Sequence, residues 1–452
     1  MDEILAQAAA RAITYLRERG DGPVFPGDDA IHQLSSFVEA LPAEGTDGTE
    51  VLAMLDDVGS PGTVASTTGR YFGFVTGGAH PVAVGASWLS AAWDQNAALG
   101  VMSPVAGVLD TVAGAWIARL LSLPAASQHQ FVTGTSAANA LCLAVGRDRL
   151  LADAGWDSVN NGLFGAPEIR VVVSEAAHSS VMKALGYVGL GRERVVLVPA
   201  DDQGRLDVAQ LPDPGVPTLV LAQAGNVNSG ASDAFGEIAD HFDGSPYWMH
   251  VDGAFGLWAA SSPKTRHLVA GVERADSWAT DMHKWLNTTY DSAVAVVRNG
   301  DDMARTFHVG AAYIPDSARI EPVSRGIDMS QRAKAIEAWA VMKSLGSNGV
   351  AALTDRMCDH AARLATRLAD GGLTIHNDVV LNQVLVSCDT DEATETLISH
   401  VQQSGTIWCG GSEWQGRSVM RISVSSWATT TADIDVAVET ILTFVNDSET
   451  VT

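Results

Sequence analysis

The chain has 452 residues, 46% hydrophobic and 18% charged, which describes a globular protein with ample material for a core and excludes a disordered one. Its formal net charge of −25 leaves no basic surface to neutralise phosphates, so a nucleic-acid binder is excluded. Cys142, Cys358, Cys388 and Cys409 are scattered without a CxxC pair, which gives no zinc or redox signature.

The N-terminal stretch MDEILAQAAARAITYLRERG is acidic and amphipathic, with Leu5, Ala8, Ala12 and Leu16 on one helical face. It reads as a helix and not as a signal peptide, and no apolar run reaches the length of a membrane span. These features predict a soluble cytoplasmic protein with no membrane partner. Two further short helices are predicted near 29–42 and 49–57, giving a helical arm over residues 1–60. Such an arm cannot bury its apolar stripe alone, and packs on the main body or on a second subunit.

From 61 to 300 short β-rich runs recur: FVTG, IRVVVS, RVVLVP, TLVLAQAG, YWMHVD, DSWATD and AVAVVRN. Most are nearly continuous apolar runs separated by helical patterns, which predicts an α/β domain with a mostly parallel sheet covered on both faces. Residues 301–330 lack periodicity and read as a mobile loop. QRAKAIEAWAVMKSLG then opens an α+β segment, a smaller C-terminal domain over 331–452.

Three features fall at predicted strand ends, where open α/β sheets bind ligands. FVTGTSAANA is a strand, a small-residue turn and a helix start. Thr135, Ser136 and the free backbone N–H groups there suit a phosphate, although serine and threonine are also ordinary N-caps. Asp252 in HVDGA ends an apolar strand, where a carboxylate needs a cationic partner or serves a turn. Lys284 in DMHKW follows one strand later; taken alone it reads as a solvated lysine. His178, in SEAAHSS, also follows a strand, as a cap, a core histidine or a ring that stacks on a ligand. Together a phosphate cradle, a buried carboxylate and a lysine are what a pyridoxal 5'-phosphate enzyme requires.

The stretches RYFGFVTGGAHPVA, SPVAGVLD, TGTSAAN, SEAAHSSVMKA, AGNVNSGASD, HVDGAFG, ATDMHKWLNTTYDS and RISVSSW appear in one order over about residues 65–435. In this the chain resembles the group II pyridoxal phosphate-dependent amino acid decarboxylases. The resemblance implies the aspartate aminotransferase-like fold type I and a homodimer with active sites at the subunit interface. It implies Lys284 as the Schiff-base lysine, Asp252 as partner of the pyridine nitrogen, Ala254 against one ring face and His178 against the other. Thr135, Ser136 and His283 fall at the phosphate, Asn226 near the ring hydroxyl, and Ser330 toward the partner's phosphate. Asp281 stands where some members have asparagine, and a carboxylate there would repel phosphate. Tyr313 is the loop tyrosine matching the proton donor.

Phe72, Phe74, His80 and Trp93 correspond to the substrate pocket, and Leu99, Val101 and Met102 to a stretch approaching from the partner chain. That lining lacks an arginine or lysine for a side-chain carboxylate, so the expected substrate is an aromatic or apolar L-amino acid. Arg421 matches a carboxylate-binding region, with structural packing as the alternative. The expected reaction is decarboxylation to the amine and CO2. The alternatives are decarboxylation-coupled aldehyde synthesis, aldol cleavage or transamination, or a catalytically silent binding paralogue.

Overall fold

The computed structural model describes residues 1–308, 310 and 320–449. They divide into two compact units, a smaller one of residues 1–76, 363–376 and 384–452 and a larger one of 77–362 and 377–383. The division lies elsewhere than the expected breaks near 60, 300 and 330. Periodicity locates an element, whereas its packing partners decide which core it feeds. Residues 301–330 likewise are not all loop: Gly300–Phe307 is a helix, capped by the Asn299 side chain, and Pro322–Ser324 is a short helical turn.

The larger unit is built on a seven-stranded sheet. In chain order its strands are β1 (Gln128–Val132), β2 (Arg170–Ser174), β3 (Val195–Val198), β4 (Thr218–Gln223), β5 (Tyr247–Asp252), β6 (Ser277–Asp281) and β7 (Ala293–Val297). Their spatial order is β1-β7-β6-β5-β4-β2-β3. All run parallel except β7, which is antiparallel to both β1 and β6. The fold is therefore α/β with a mostly parallel sheet, as expected. Every residue of β4, β6 and β7 is buried, as expected of strands covered on both faces, and in β6 this includes the polar Ser277, Thr280 and Asp281. Strand β3 is the exception: it forms an edge, and Val196 and Leu197 are exposed.

Helix Thr135–Asp153 lies on the sheet with Ala138, Leu141, Cys142 and Val145 turned into the core beside Val171, Leu219 and Trp248. The long helix Ala335–Asp370 is two helices meeting at Gly346, whose φ of +64° no helix accommodates. The smaller unit carries a four-stranded antiparallel sheet of β8 (Thr374–Ile375), β9 (Gln383–Ser387), β10 (Gly410–Trp414) and β11 (Arg417–Ser423), in the order β10-β11-β9-β8. Its N-terminal helices Asp2–Glu18 and Gly48–Gly59 bury no residue, and Leu5, Ile13, Val51 and Leu55 are exposed.

One buried ion pair in the larger unit carries a stability prediction. Arg325 donates to Asp110 at 2.5 Å and to the His129 carbonyl at 2.7 Å, and Arg325 is 3% exposed. Burial pushes the Asp110 carboxyl up, but His129 and Arg325 outweigh it and hold it at about 2, below the ordinary 3.8. The pair therefore stabilises the fold fully above about pH 4, and its contribution is lost as the pH falls towards 2. Asp110→Ala strands a buried guanidinium, and denaturant unfolding at neutral pH is expected to show a loss of roughly 3–5 kcal/mol. The difference from wild type should shrink in acid; a difference constant down to about pH 2 would show that the pair does not titrate in this way.

Candidate active site

The C-terminal ends of β1, β2, β4, β5 and β6 deliver Thr135, His178, Asn226, Asp252 and Lys284 to one edge of the larger unit's sheet, the edge where such sheets hold ligands. Lys284 Nζ lies 2.8 Å from Asp281 Oδ2. Asp281 is 2% exposed, and its other oxygen accepts the Thr135 backbone N–H at 2.7 Å. The carboxylate that looked anomalous in sequence is thus the ion partner of the lysine and binds the first N–H of helix Thr135–Asp153. Gly77 holds the lysine turn from the other side: its φ is +72°, and a Cβ there would collide with the His283 and Lys284 carbonyls.

Asp252 is 7% exposed and ends β5. Its Oδ2 accepts from Asn139 Nδ2 at 2.9 Å and its Oδ1 from the Ala254 N–H at 3.2 Å. Burial raises its carboxyl, against which the Asn139 hydrogen bond and the neighbouring His178 and Lys284 favour the ionised form. His178 is the N-cap of helix Ser179–Tyr187, and its Nδ1 accepts the Ser180 N–H at 3.3 Å. It shares the lining of one small cavity with Asp252.

At the start of helix Thr135–Asp153, Gly134 provides no side-chain cap, and nothing comes within 3.9 Å of the Cβ that would be added there. Thr135 Oγ1 is buried without a hydrogen-bond partner, and Ser136 is exposed beside it. His283 is buried, which pushes its imidazole below the ordinary value, and it stacks on Tyr290 at 4.2 Å between ring centroids. A helix start whose N-cap is a glycine, with an orphaned hydroxyl beside it, fits a phosphate, a buried carboxylate fits a pyridine nitrogen, and a lysine amine fits an aldehyde. The residues present therefore fit pyridoxal phosphate.

Not every expected residue is free to act. Asn226 is 1% exposed and its amide is engaged locally: Oδ1 accepts from Asn228 and Ser229 N–H groups and Nδ2 donates to the Ala176 carbonyl. Ala254 is half-buried two residues after Asp252, and Ser330 is exposed beside Asn96, 3.4 Å from its amide. Tyr313 lies outside the described residues. In the smaller unit Phe72 has no exposed surface and belongs to the core, whereas Phe74 is 64% exposed and stacks on Trp408 at 5.3 Å. In the larger unit His80 caps helix Pro81–Trp93, Trp93 and Val101 are exposed, and Leu99 is half-buried. Sequence reasoning missed Asn139 as the partner of Asp252. It stands in the quoted stretch TGTSAAN, four residues after Thr135, and a polar residue on the sheet-facing stripe of an otherwise apolar helix was the available signal.

Among the described residues no helix is long and apolar enough to cross a membrane, and no cluster of metal-ligating side chains occurs. Residues 33–386 match the pyridoxal-dependent decarboxylase conserved domain. The chain is 26% identical to the aromatic-L-amino-acid decarboxylase of Bacillus atrophaeus, covering 96% of this chain and 93% of that one. It is 28% identical to the histidine decarboxylase of Drosophila melanogaster, covering 93% and 52%. The crystal structure of Oryza sativa TDC with PLP and tryptamine superposes with a TM-score of 0.91, at 21% identity over 99% of this chain and 98% of that one. A family match over more than half of the chain, on a site whose residues suit the cofactor, identifies the protein as a member of the pyridoxal-dependent decarboxylases, carboxy-lyases that act on amino acids with pyridoxal 5'-phosphate.

Proposed function

We propose that the enzyme converts an aromatic or apolar L-amino acid to its amine and CO2, as a homodimer, with Lys284 as the residue that carries the cofactor. The observation behind this reading is the Lys284–Asp281 contact of 2.8 Å at the same sheet edge as the buried Asp252. When bound, the cofactor supplies an electron sink for the pair left on the α-carbon as CO2 departs.

The chain's own residues do the rest. Asp281 holds the Lys284 side-chain nitrogen at a fixed position, 2.8 Å from its Oδ2. Asp252 presents a buried negative charge to a cationic ring nitrogen, where low dielectric makes it count most. His178, with Nδ1 occupied by the Ser180 N–H, carries its proton on Nε2 and orients the substrate carboxylate. Thr135, Ser136 and His283 would hold the phosphate, Ala254 and His178 would lie against the ring, and Asn226, with one amide N–H on the Ala176 carbonyl, would turn the other to the ring hydroxyl. Tyr313 returns a proton to the α-carbon. Ser330, Leu99 and Val101 face the partner subunit's site.

The dimer is supported by the N-terminal helices, which leave Leu5, Ile13, Val51 and Leu55 exposed in the single chain. The substrate class is supported by the proposed lining of His80, Trp93, Leu99 and Val101, which offers apolar and ring surface and no guanidinium or ammonium. The aromatic-L-amino-acid and histidine decarboxylases named above also act, by name, on amino acids with ring side chains. Incubation of the holoenzyme with each of the twenty amino acids, with products read by mass, tests this. An amine from an aromatic or apolar substrate is expected. An amine from glutamate or aspartate overturns the substrate class, and an aldehyde with ammonia overturns simple decarboxylation.

A further inference from the structure

Behind Asp252 four side chains form hydrogen bonds that run one way. Trp248, His250 and Asp252 alternate along β5, so their side chains leave the same face of the strand. Asn139, Cys142 and Gly146 sit at spacings of three and four on helix Thr135–Asp153, on the stripe that covers this face. Gly146 permits the close approach, since a Cβ there would come within 2.6 Å of the Trp248 ring. His250 is opposite Ser277 in the β5–β6 register.

The distances are those of good hydrogen bonds throughout. Trp248 Nε1 donates to Ser277 Oγ at 2.9 Å, and Ser277 Oγ is 2.9 Å from His250 Nδ1. His250 Nε2 is 3.0 Å from Asn139 Oδ1, and Asn139 Nδ2 donates to Asp252 at 2.9 Å. Asn139, His250 and Ser277 have no exposed surface.

The proton positions follow from the two ends. An ionised carboxylate only accepts, which turns the Asn139 Nδ2 toward Asp252 and its Oδ1 toward His250. His250 must then carry a proton on Nε2. Burial pushes its imidazole down to about 3, so the ring is neutral and Nδ1 accepts from the Ser277 hydroxyl. An indole N–H only donates, which completes the sequence at Trp248. Every link donates toward Asp252.

We propose that Trp248, Ser277, His250 and Asn139 are positioning residues of the cofactor site, an aligned donor chain that holds the Asp252 carboxylate ionised and in one rotamer. None of them touches the reacting atoms. The inference rests on the reading of Asp252 as partner of the ring nitrogen, and supplies what that reading needs. Burial pushes the Asp252 carboxyl up, against the ionised form, and a neutral acid gives no charge to a pyridinium. Successive dipoles pointing the same way strengthen the last bond, the one on the carboxylate.

Two measurements on the holoenzyme decide this. Nitrogen NMR of histidine-labelled protein, with the His250 signal assigned by its loss in His250→Gln, is expected to show the neutral Nε2–H tautomer. The Nδ1–H tautomer or an imidazolium at neutral pH overturns the chain. Titration with pyridoxal phosphate should then give roughly ten- to hundredfold weaker binding for His250→Phe, with the pH dependence of the visible absorption band displaced. His250→Gln keeps a donor toward Asn139 and should recover most of that loss. Wild-type affinity and an unmoved pH profile in His250→Phe overturn the proposal. If His250→Phe does not fold, the tautomer in the unsubstituted enzyme still decides. Asp252→Ala separates the two levels: wild-type cofactor binding there removes the reading of Asp252 itself, whereas its loss beside an unaffected His250→Phe removes only the donor chain.

Discussion

Lys284→Ala is expected to lower turnover by roughly three orders of magnitude or more and to abolish visible absorption from bound cofactor, with the fold retained. The other four lysines are Lys183, Lys264, Lys334 and Lys343, and none stands at the end of β6. Lys264 is committed to Asp359, and Lys334 is 7% exposed just before helix Ala335–Asp370. Lys284 alone combines partial exposure, a buried counter-ion at 2.8 Å and a place beside the start of helix Thr135–Asp153, whose first N–H the same counter-ion accepts. Arginine at this position would keep the charge toward Asp281 but not a nucleophilic amine, so Lys284→Arg should be as inactive as the alanine variant. Wild-type turnover in either variant, measured as CO2 release, would remove Lys284 from the chemistry.

Asp252→Ala is expected to reduce turnover by about a hundred- to a thousandfold and to weaken cofactor binding, because a preorganised buried charge is lost where the transition state needs it. Asp252→Asn separates charge from shape. The amide can occupy nearly the same volume, so the fold should persist while the rate falls nearly as far. Titration with pyridoxal phosphate and steady-state kinetics measure both effects. Equal kinetics for Asp252→Asn and wild type would show that the charge has no part in catalysis.

Much of this was legible in the sequence, and the reasons are local. TGTSAAN, AHSS, HVDGA and DMHKW each pair a strand pattern with a turn, so the strand ends and their order could be read before their neighbours were known. What was not legible depends on distant partners. Asn139 and Asp252 are separated by 113 residues and meet only because a helix face closes on a strand face. Asp281 looked like a misplaced anion near phosphate, and its meaning appeared only with Lys284 on one oxygen and the Thr135 N–H on the other. Phe72 and Phe74 looked equivalent, yet the first is core and the second is exposed on Trp408. Alternation along a segment does not say which neighbour covers it. Likewise RVVLVP has the composition of a central strand but lies at the sheet edge, a matter of topology.

Borohydride reduction of the holoenzyme followed by peptide mass mapping tests the central assignment most directly. A stable pyridoxyl group on Lys284 Nζ is predicted, with Lys183, Lys264, Lys334 and Lys343 unmodified. Stoichiometric modification of any of those four, with Lys284 untouched, would contradict it.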